Sequence, residues 1–209
     1  MRRRIAVLAA LGLVLTPAPA TAAPAAAVVT AVTAADLGAT WRPECPVGPA
    51  DLRRVELNYT GFDGQPHRGV LVVNRAVVDE VVAIFDALQQ LHYPIARMQT
   101  VDRYPGAQDE LSMEDNNTSA FNCRPLPGST TWSMHAYGRA VDINPLINPS
   151  IDNRGVLEPA TAARYLDRTR DEPGMLRADS PAVAAFTERN WRWGGAWRNP
   201  IDYQHFERR

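Results

Sequence analysis

His135 and Asp142 lie seven positions apart, and both are residue types that suit metal binding. They belong to the stretch Ser-Met-His-Ala-Tyr-Gly-Arg-Ala-Val-Asp. Imidazole and carboxylate are both common zinc ligands. On a strand, an odd offset places the two side chains on opposite faces, and on an unbroken helix they sit roughly 10 Å apart along the axis. Neither regular element brings both to one ion. A turn must therefore lie between them, and Gly138 is where it can form.

The residues after Gly138 have the alternation of a strand. Val141 and Ile143 fall on one face of residues 139–143, and Asp142 falls on the other. A third ligand is still needed, and the far end of the chain supplies a candidate in Asp202-Tyr203-Gln204-His205.

These two motifs together are similar to a known family. Ser-x-His, an Asp after six intervening residues and a late Asp-x-x-His resemble the zinc D-alanyl-D-alanine carboxypeptidases. That family includes VanY-like enzymes and the L-alanyl-D-glutamate endopeptidases of phage endolysins. The resemblance extends over roughly residues 55–207, and it is specific because both motifs are present together.

The resemblance implies a set of roles. His135, Asp142 and His205 would bind one zinc ion per chain, and Asp202 would be the general base. The implied fold is α+β, a small antiparallel sheet with helices packed on one side and the zinc site at the sheet edge. The implied activity is hydrolysis of an amide bond in peptidoglycan stem peptides, of the D-Ala-D-Ala carboxypeptidase type. The alternatives are an L-Ala-D-Glu endopeptidase of the same fold and a non-catalytic module that binds cell-wall peptides.

Other polar residues could serve the same site. Arg124, at the end of a segment that resembles the family's sequence before the first ligand, would polarise the scissile carbonyl or hold a substrate carboxylate. An isolated arginine also commonly forms a surface salt bridge, so both interpretations stay open. Arg103 and Arg139 are further cations for a terminal carboxylate. Ser133 either binds the substrate backbone or caps the turn.

The choice of base has a competitor. If the last ligand lies on a strand, Glu207 shares the face of His205, and strand geometry alone favours Glu207. The family pattern instead places the acid three residues before the last ligand. We therefore predict that Asp202 is the base and that Glu207 orients a ligand or bonds nearby backbone.

The N-terminus predicts export. Residues 1–22 combine three arginines, the apolar core Ile5–Leu15 and a small-x-small cleavage site, as a signal peptide does, and the core is too short to span a bilayer. Residues 23–40 are interpreted as an Ala-rich lead-in or tether and residues 41–209 as one peptidase domain. The mature protein is expected to be a monomer, secreted or associated with the cell wall, with no membrane span.

Export also bears on Cys45 and Cys123, because the two cysteines of an exported chain most often form a disulfide. Two buried free thiols are the alternative. All 22 basic residues are arginine and the net charge is −1, with no basic run after the first few residues, so nucleic acid is not an expected partner.

Periodicity predicts the main elements. A half-buried strand at residues 54–59, a turn at 61–64 and a strand at 69–73 form a hairpin, and a helix follows from about residue 75 to 90. A strand at 95–101 and short helices at 158–168 and 181–190 are also predicted. Five aromatic residues near the motifs either line a peptide cleft or belong to the core, and these are Trp132, Tyr137, Trp191, Trp193 and Trp197.

Overall fold

Most regular elements of the protein are short, apart from one hairpin and one helix. The computed structural model describes residues 26–209. Its α-helices are α1 (Ala34–Leu37), α2 (Val78–Gln90), α3 (Asp109–Glu114) and α4 (Pro181–Thr187). Its strands are β1 (Val28–Ala31), β2 (Leu52–Thr60), β3 (Pro66–Asn74), β4 (Arg97–Met98), β5 (Asn117–Thr118), β6 (Ala140–Asp142), β7 (Ser150–Ile151), β8 (Leu157–Glu158), β9 (Arg192–Trp193), β10 (Ile201–Asp202) and β11 (His205–Glu207). Its 3-10 helices are Gly38–Thr40, Pro49–Asp51, Arg75–Val77, Val101–Arg103, Pro105–Ala107, Met134–Tyr137, Ala160–Leu166 and Gly194–Ala196.

The predicted hairpin and the helix after it are confirmed. Strands β2 and β3 pair antiparallel from Leu52 opposite Asn74 to Thr60 opposite Pro66. The apolar side chains of this hairpin pack against α2, whose core-facing residues are Val78, Val81, Ile84, Phe85 and Leu88. The predicted cap is present as well, because the side chain of Asn74 accepts a hydrogen bond from the backbone N–H of Ala76.

Two three-stranded antiparallel sheets carry four of the polar residues singled out by sequence, Asp142, Asp202, His205 and Glu207. One has the strand order β6-β11-β9 and the other β10-β7-β8. Phe206 of β11 stacks on Phe186 of α4 with ring centroids 3.8 Å apart, which anchors the first sheet to the main core. The fold is thus α+β, helices with small antiparallel sheets, as the sequence resemblance implied.

Several weaker predictions need correction. The strand expected at residues 95–101 is only Arg97–Met98, which pairs in parallel with β5. The helix expected at 158–168 is a 3-10 helix at Ala160–Leu166, and the one at 181–190 ends at Thr187. A short apolar run in the sequence does not fix the length of the helix or strand that contains it, so tertiary contacts decide where these elements end.

The described part of the Ala-rich lead-in is packed on the domain and is not a tether. Strand β1 pairs antiparallel with β2, and Val32 and Leu37 are buried in a cluster that includes Phe121 and Cys123. The predicted signal peptide, residues 1–22, lies outside the described residues. Across residues 26–209, none of the helices has the length and apolar character needed to cross a membrane.

Cys45 and Cys123 form the predicted disulfide, with their Cα atoms 5.9 Å apart. The bridge joins the segment before β2 to the residue that precedes Arg124. The backbone of Cys123 is held further, because its carbonyl oxygen accepts a hydrogen bond of 2.8 Å from Arg42. The disulfide therefore fixes the chain directly beside a candidate site residue.

Removing this bridge should lower stability substantially. A Cys45→Ala/Cys123→Ala variant should lose about 4 kcal/mol of unfolding free energy, because the bridge closes a long loop of the unfolded chain. Urea denaturation of the variant and the oxidised wild type measures the difference. Peptide mapping without reductant should find the linked pair, whereas quantitative alkylation of both thiols in the native exported protein would contradict it.

Candidate metal centre

The stretch that contains the first two candidate ligands folds as a short helix, a turn and a strand. His135 lies in the 3-10 helix Met134–Tyr137, which ends at Gly138 in the left-handed conformation with φ 64°. A Cβ on Gly138 would come within 2.7 Å of the backbone nitrogen of Asn74, so glycine also allows a close approach to β3. Strand β6 then ends at Asp142. The turn predicted at Gly138 is confirmed.

His205 reaches the same point by strand pairing. Strand β11 is antiparallel to β6, and His205 is directly opposite Asp142. Residues directly opposite each other in such a pair present their side chains on the same face, so the pairing brings two side chains 63 positions apart in sequence together.

The three side chains converge on one point. His135 Nε2 lies 3.0 Å from Asp142 Oδ2, and His205 Nδ1 lies 3.0 Å from Asp142 Oδ1. The two ring nitrogens lie 3.1 Å apart, and all three residues are buried. Ligands on a tetrahedral zinc ion with bonds of about 2.0–2.1 Å lie roughly 3.3–3.4 Å from each other. The donor types and their spacing therefore fit a zinc ion with small outward adjustments.

Hydrogen-bond partners behind the rings fix which nitrogens face the centre. His135 Nδ1 donates to the carbonyl oxygen of Ala120 at 2.5 Å, which leaves Nε2 free as a ligand. On His205 the outer nitrogen, Nε2, lies 3.5 Å from Glu207 Oε2 and Nδ1 faces Asp142. Glu207 also contacts Arg209 Nε at 2.7 Å. Glu207 is thus on the far side of the His205 ring from the metal centre.

The charges of the centre suit a cation. Burial works against ionisation of Asp142, but the neighbouring His135 and His205 hold its pKa far below the usual range for a carboxyl group. Burial likewise would lower the pKa of His205, yet hydrogen bonds to Asp142 and Glu207 raise it to about 10. The site therefore attracts positive charge, which a proton on His205 or a metal ion can supply.

Asp202 lies beside this centre, and one of its carboxylate oxygens accepts no hydrogen bond from the described residues. It lines the same cavity as His135 and His205. Its Oδ1 atom is buried and has no hydrogen-bond partner within residues 26–209. Gly194 makes room for it, because a Cβ there would lie 2.9 Å from the Cβ of Asp202. Burial raises the pKa of Asp202 to about 6, with the charge of Asp142 acting in the same direction. Such a carboxylate is ionised at neutral pH and basic enough to accept a proton.

Arg124 also lines the cavity, with donors to spare. Its Nη2 atom forms a 2.6 Å ion pair with Asp109 Oδ2, while its Nε atom is buried without a partner in the described chain. Burial would lower the pKa of Arg124, but the carboxylates of Asp109 and Asp142 raise it, so it stays a cation. The salt bridge and a substrate contact, which the sequence left as alternatives, are therefore compatible.

Ser133 has a structural task in the same segment. Its hydroxyl oxygen accepts a 3.3 Å hydrogen bond from the backbone N–H of His135 and caps the 3-10 helix. Its backbone N–H donates to the carbonyl oxygen of Arg124 at 3.1 Å, which ties the arginine to the first ligand. The hydroxyl is buried, and the residue also lines the cavity.

The cavity over the candidate metal centre has a volume of about 490 Å³. Of the aromatic residues, Trp132 and Trp197 line it, and the Trp197 ring lies 5.5 Å from that of His205. Trp191 and Trp193 belong to the core. Four of the five aromatic residues thus divide between the two roles that the sequence allowed, whereas Tyr137 is half-buried and lies outside both the cavity lining and the core cluster.

Sequence reasoning missed several charged residues of this cavity and proposed two that are elsewhere. Arg103 and Arg139 are not among its lining residues. The unpredicted charged residues that do line it are Asp152, Glu158, Arg192 and Arg209. No motif marks them, since they come from short strands and the C-terminus, and only the pairing of those strands places them near the centre.

Fold and site together define a class, an α+β protein with a buried His-Asp-His centre of metal-binding geometry in an open cavity. Residues 127–208 match the family model described as D-alanyl-D-alanine carboxypeptidase. The resemblance to this VanY-like family is confirmed over these residues, a shorter range than the motifs suggested, and the match supports a peptidase. Searches of curated proteins and of solved structures found no match.

Proposed function

We propose that this protein is an exported zinc metallopeptidase that hydrolyses an amide bond in the stem peptides of peptidoglycan, in the manner of a D-Ala-D-Ala carboxypeptidase. The observation that carries the proposal is the in-register pairing of β6 and β11. It brings Asp142 and His205 together, and the ligand atoms of these two residues and of His135 lie within 4.8 Å of one another. His135 and His205 line a cavity that also contains Asp202. The predicted signal peptide and the disulfide support export.

The residues divide the chemistry among them. His135 Nε2, the Asp142 carboxylate and His205 Nδ1 would hold the zinc ion. When bound, such an ion acts as a Lewis acid that lowers the pKa of water and polarises a carbonyl group. Asp202 Oδ1 accepts a proton from the attacking water and returns it to the leaving amine as the C–N bond breaks. The free donors of Arg124 bind the negative charge of a substrate carboxylate or of the carbonyl oxygen.

The presence of an oriented base argues for catalysis over simple binding. A module that only binds peptides does not need a carboxylate whose buried oxygen lacks a hydrogen-bond partner. It also does not need to hold that carboxylate next to three candidate metal ligands. An unpartnered buried oxygen costs folding free energy, so its presence is explained when water or substrate supplies the missing partner.

Mass spectrometry of purified muropeptides after digestion tests the proposal and identifies the bond. A carboxypeptidase removes one C-terminal alanine from a pentapeptide stem, whereas an L-Ala-D-Glu endopeptidase releases the stem at its second residue. We expect loss of a single alanine with the zinc-loaded mature protein. Unchanged muropeptides that nevertheless bind the protein would support the non-catalytic alternative.

A further inference from the structure

One wall of the cavity is a row of three residues across the sheet β10-β7-β8. Asp202 is directly opposite Ser150, and Ser150 is directly opposite Glu158. Directly opposite residues share a face, and all three line the cavity. Glu158 therefore projects into the same space as Asp202, two strand spacings or roughly 10 Å away.

Glu158 differs from the acidic residues around it. Asp109 pairs with Arg124, Glu110 accepts a hydrogen bond from the backbone of Ala160, and Asp152 binds Arg154. Within residues 26–209, the Glu158 carboxylate has no hydrogen bond and no ion pair.

The surroundings of Glu158 favour a positive charge. Burial raises its pKa, and the charges of Glu110, Asp109 and Asp152 act in the same direction against Arg124. Arg124 forms its ion pair with Asp109, at 2.6 Å from Nη2, and forms none with Glu158 among the described residues. Glu158 also borders a second cavity of about 570 Å³, so it lies where the two cavities meet. A cation from the substrate would supply the partner that the chain does not.

We propose that Glu158 is a subsite for an ammonium group on the side chain of the peptide substrate, at the residue before the one that supplies the scissile carbonyl. This inference rests on the proposed peptidase function and adds the substrate class. Consecutive Cα atoms lie 3.8 Å apart, and an extended lysine-like side chain reaches roughly 6 Å further, so such an amine falls about 10 Å from the reacting bond. That distance matches the separation of Glu158 from Asp202 across the sheet.

Two matched peptides test the subsite. Both are acetyl-Lys-D-Ala-D-Ala, one with a free side-chain amine and the other with that amine acetylated. Wild-type protein should cleave the free-amine peptide with a kcat/KM about tenfold higher, the scale of one hydrogen bond to a charged group. Glu158→Gln should remove this preference, so that the variant cleaves the two peptides with the same kcat/KM. Glu114→Gln is the control, because Glu114 is exposed and does not line either cavity.

A binding measurement separates failure of the subsite from failure of the proposed reaction. Calorimetric titration of the Asp202→Asn variant with the same two peptides reports recognition without turnover. Preferential binding of the free amine that Glu158→Gln abolishes supports the subsite, even if another bond is cleaved. Equal binding and equal cleavage of both peptides by wild-type protein would overturn the subsite and leave the peptidase proposal intact. Absence of cleavage and of binding would overturn both.

Discussion

Replacing Asp202 by Asn should lower turnover by about 10²–10⁴-fold, the usual scale for loss of a general base. The amide cannot accept the proton of the attacking water, but it retains the size of the carboxylate. The variant should keep its metal, because Asp202 is not one of the three converging residues. Steady-state kinetics on a D-Ala-D-Ala peptide, combined with elemental analysis, measures both quantities.

Glu207→Gln is the matched control for this experiment. Glu207 lies behind the His205 ring, 3.5 Å from its outer nitrogen, and binds Arg209. Its loss should weaken the orientation of His205 and reduce metal affinity by about 10–100-fold, with a smaller loss of turnover at saturating zinc. A dead Glu207→Gln variant that retains its zinc, together with an active Asp202→Asn variant, would reverse the two roles.

The pH dependence of the reaction provides a second measurement on Asp202. Burial raises the pKa of Asp202 to about 6, and a bound cation would lower it. Only the ionised carboxylate can accept a proton, so the base is lost as pH falls through the pKa of Asp202. A raised pKa moves this loss to a higher pH than for an ordinary carboxyl group. We therefore expect kcat to fall at pH values at or below about 6 in the wild type, and we expect that limb to be missing in Asp202→Asn.

His135→Ala and His205→Ala should each lose most of the bound metal and most of the activity. Each substitution removes one of three protein ligands. Loss of a residue that only hydrogen-bonds to a ligand lowers metal affinity by about 10–100-fold, so loss of a ligand itself should lower zinc affinity by more than about 100-fold. Elemental analysis of the purified proteins should give one zinc per wild-type chain and far less in either variant.

His67→Ala is a suitable control for metal content. His67 is exposed, lies in the hairpin far from the site in sequence, and forms its ion pair with Asp63. This variant should keep a full complement of zinc. Stoichiometric zinc in the His135→Ala/His205→Ala double variant would show that the ion binds elsewhere and that the ligand assignment is wrong.

The sequence by itself determined the local elements and the candidate ligands. Alternation and helical spacing predicted the β2–β3 hairpin and α2, because a buried face leaves a periodic trace along the chain. The motif spacing pointed to a turn at Gly138, since neither a helix nor a strand brings His135 and Asp142 together. The sequence also predicted the disulfide between Cys45 and Cys123, because the two cysteines of an exported chain most often pair.

The tertiary structure decided what no local pattern encodes. Strands β7 to β11 are two or three residues long, too short for any period to mark them, so sequence gave no indication that Glu158 and Asp202 share a wall. The lead-in was expected to be loose because its small apolar residues carry no signal, yet β1 pairs with β2. Pairing partners come from distant parts of the chain, and the register between them depends on the whole core. The types of residue in the site were therefore readable from the sequence, while its walls and charges depended on how the short strands assemble.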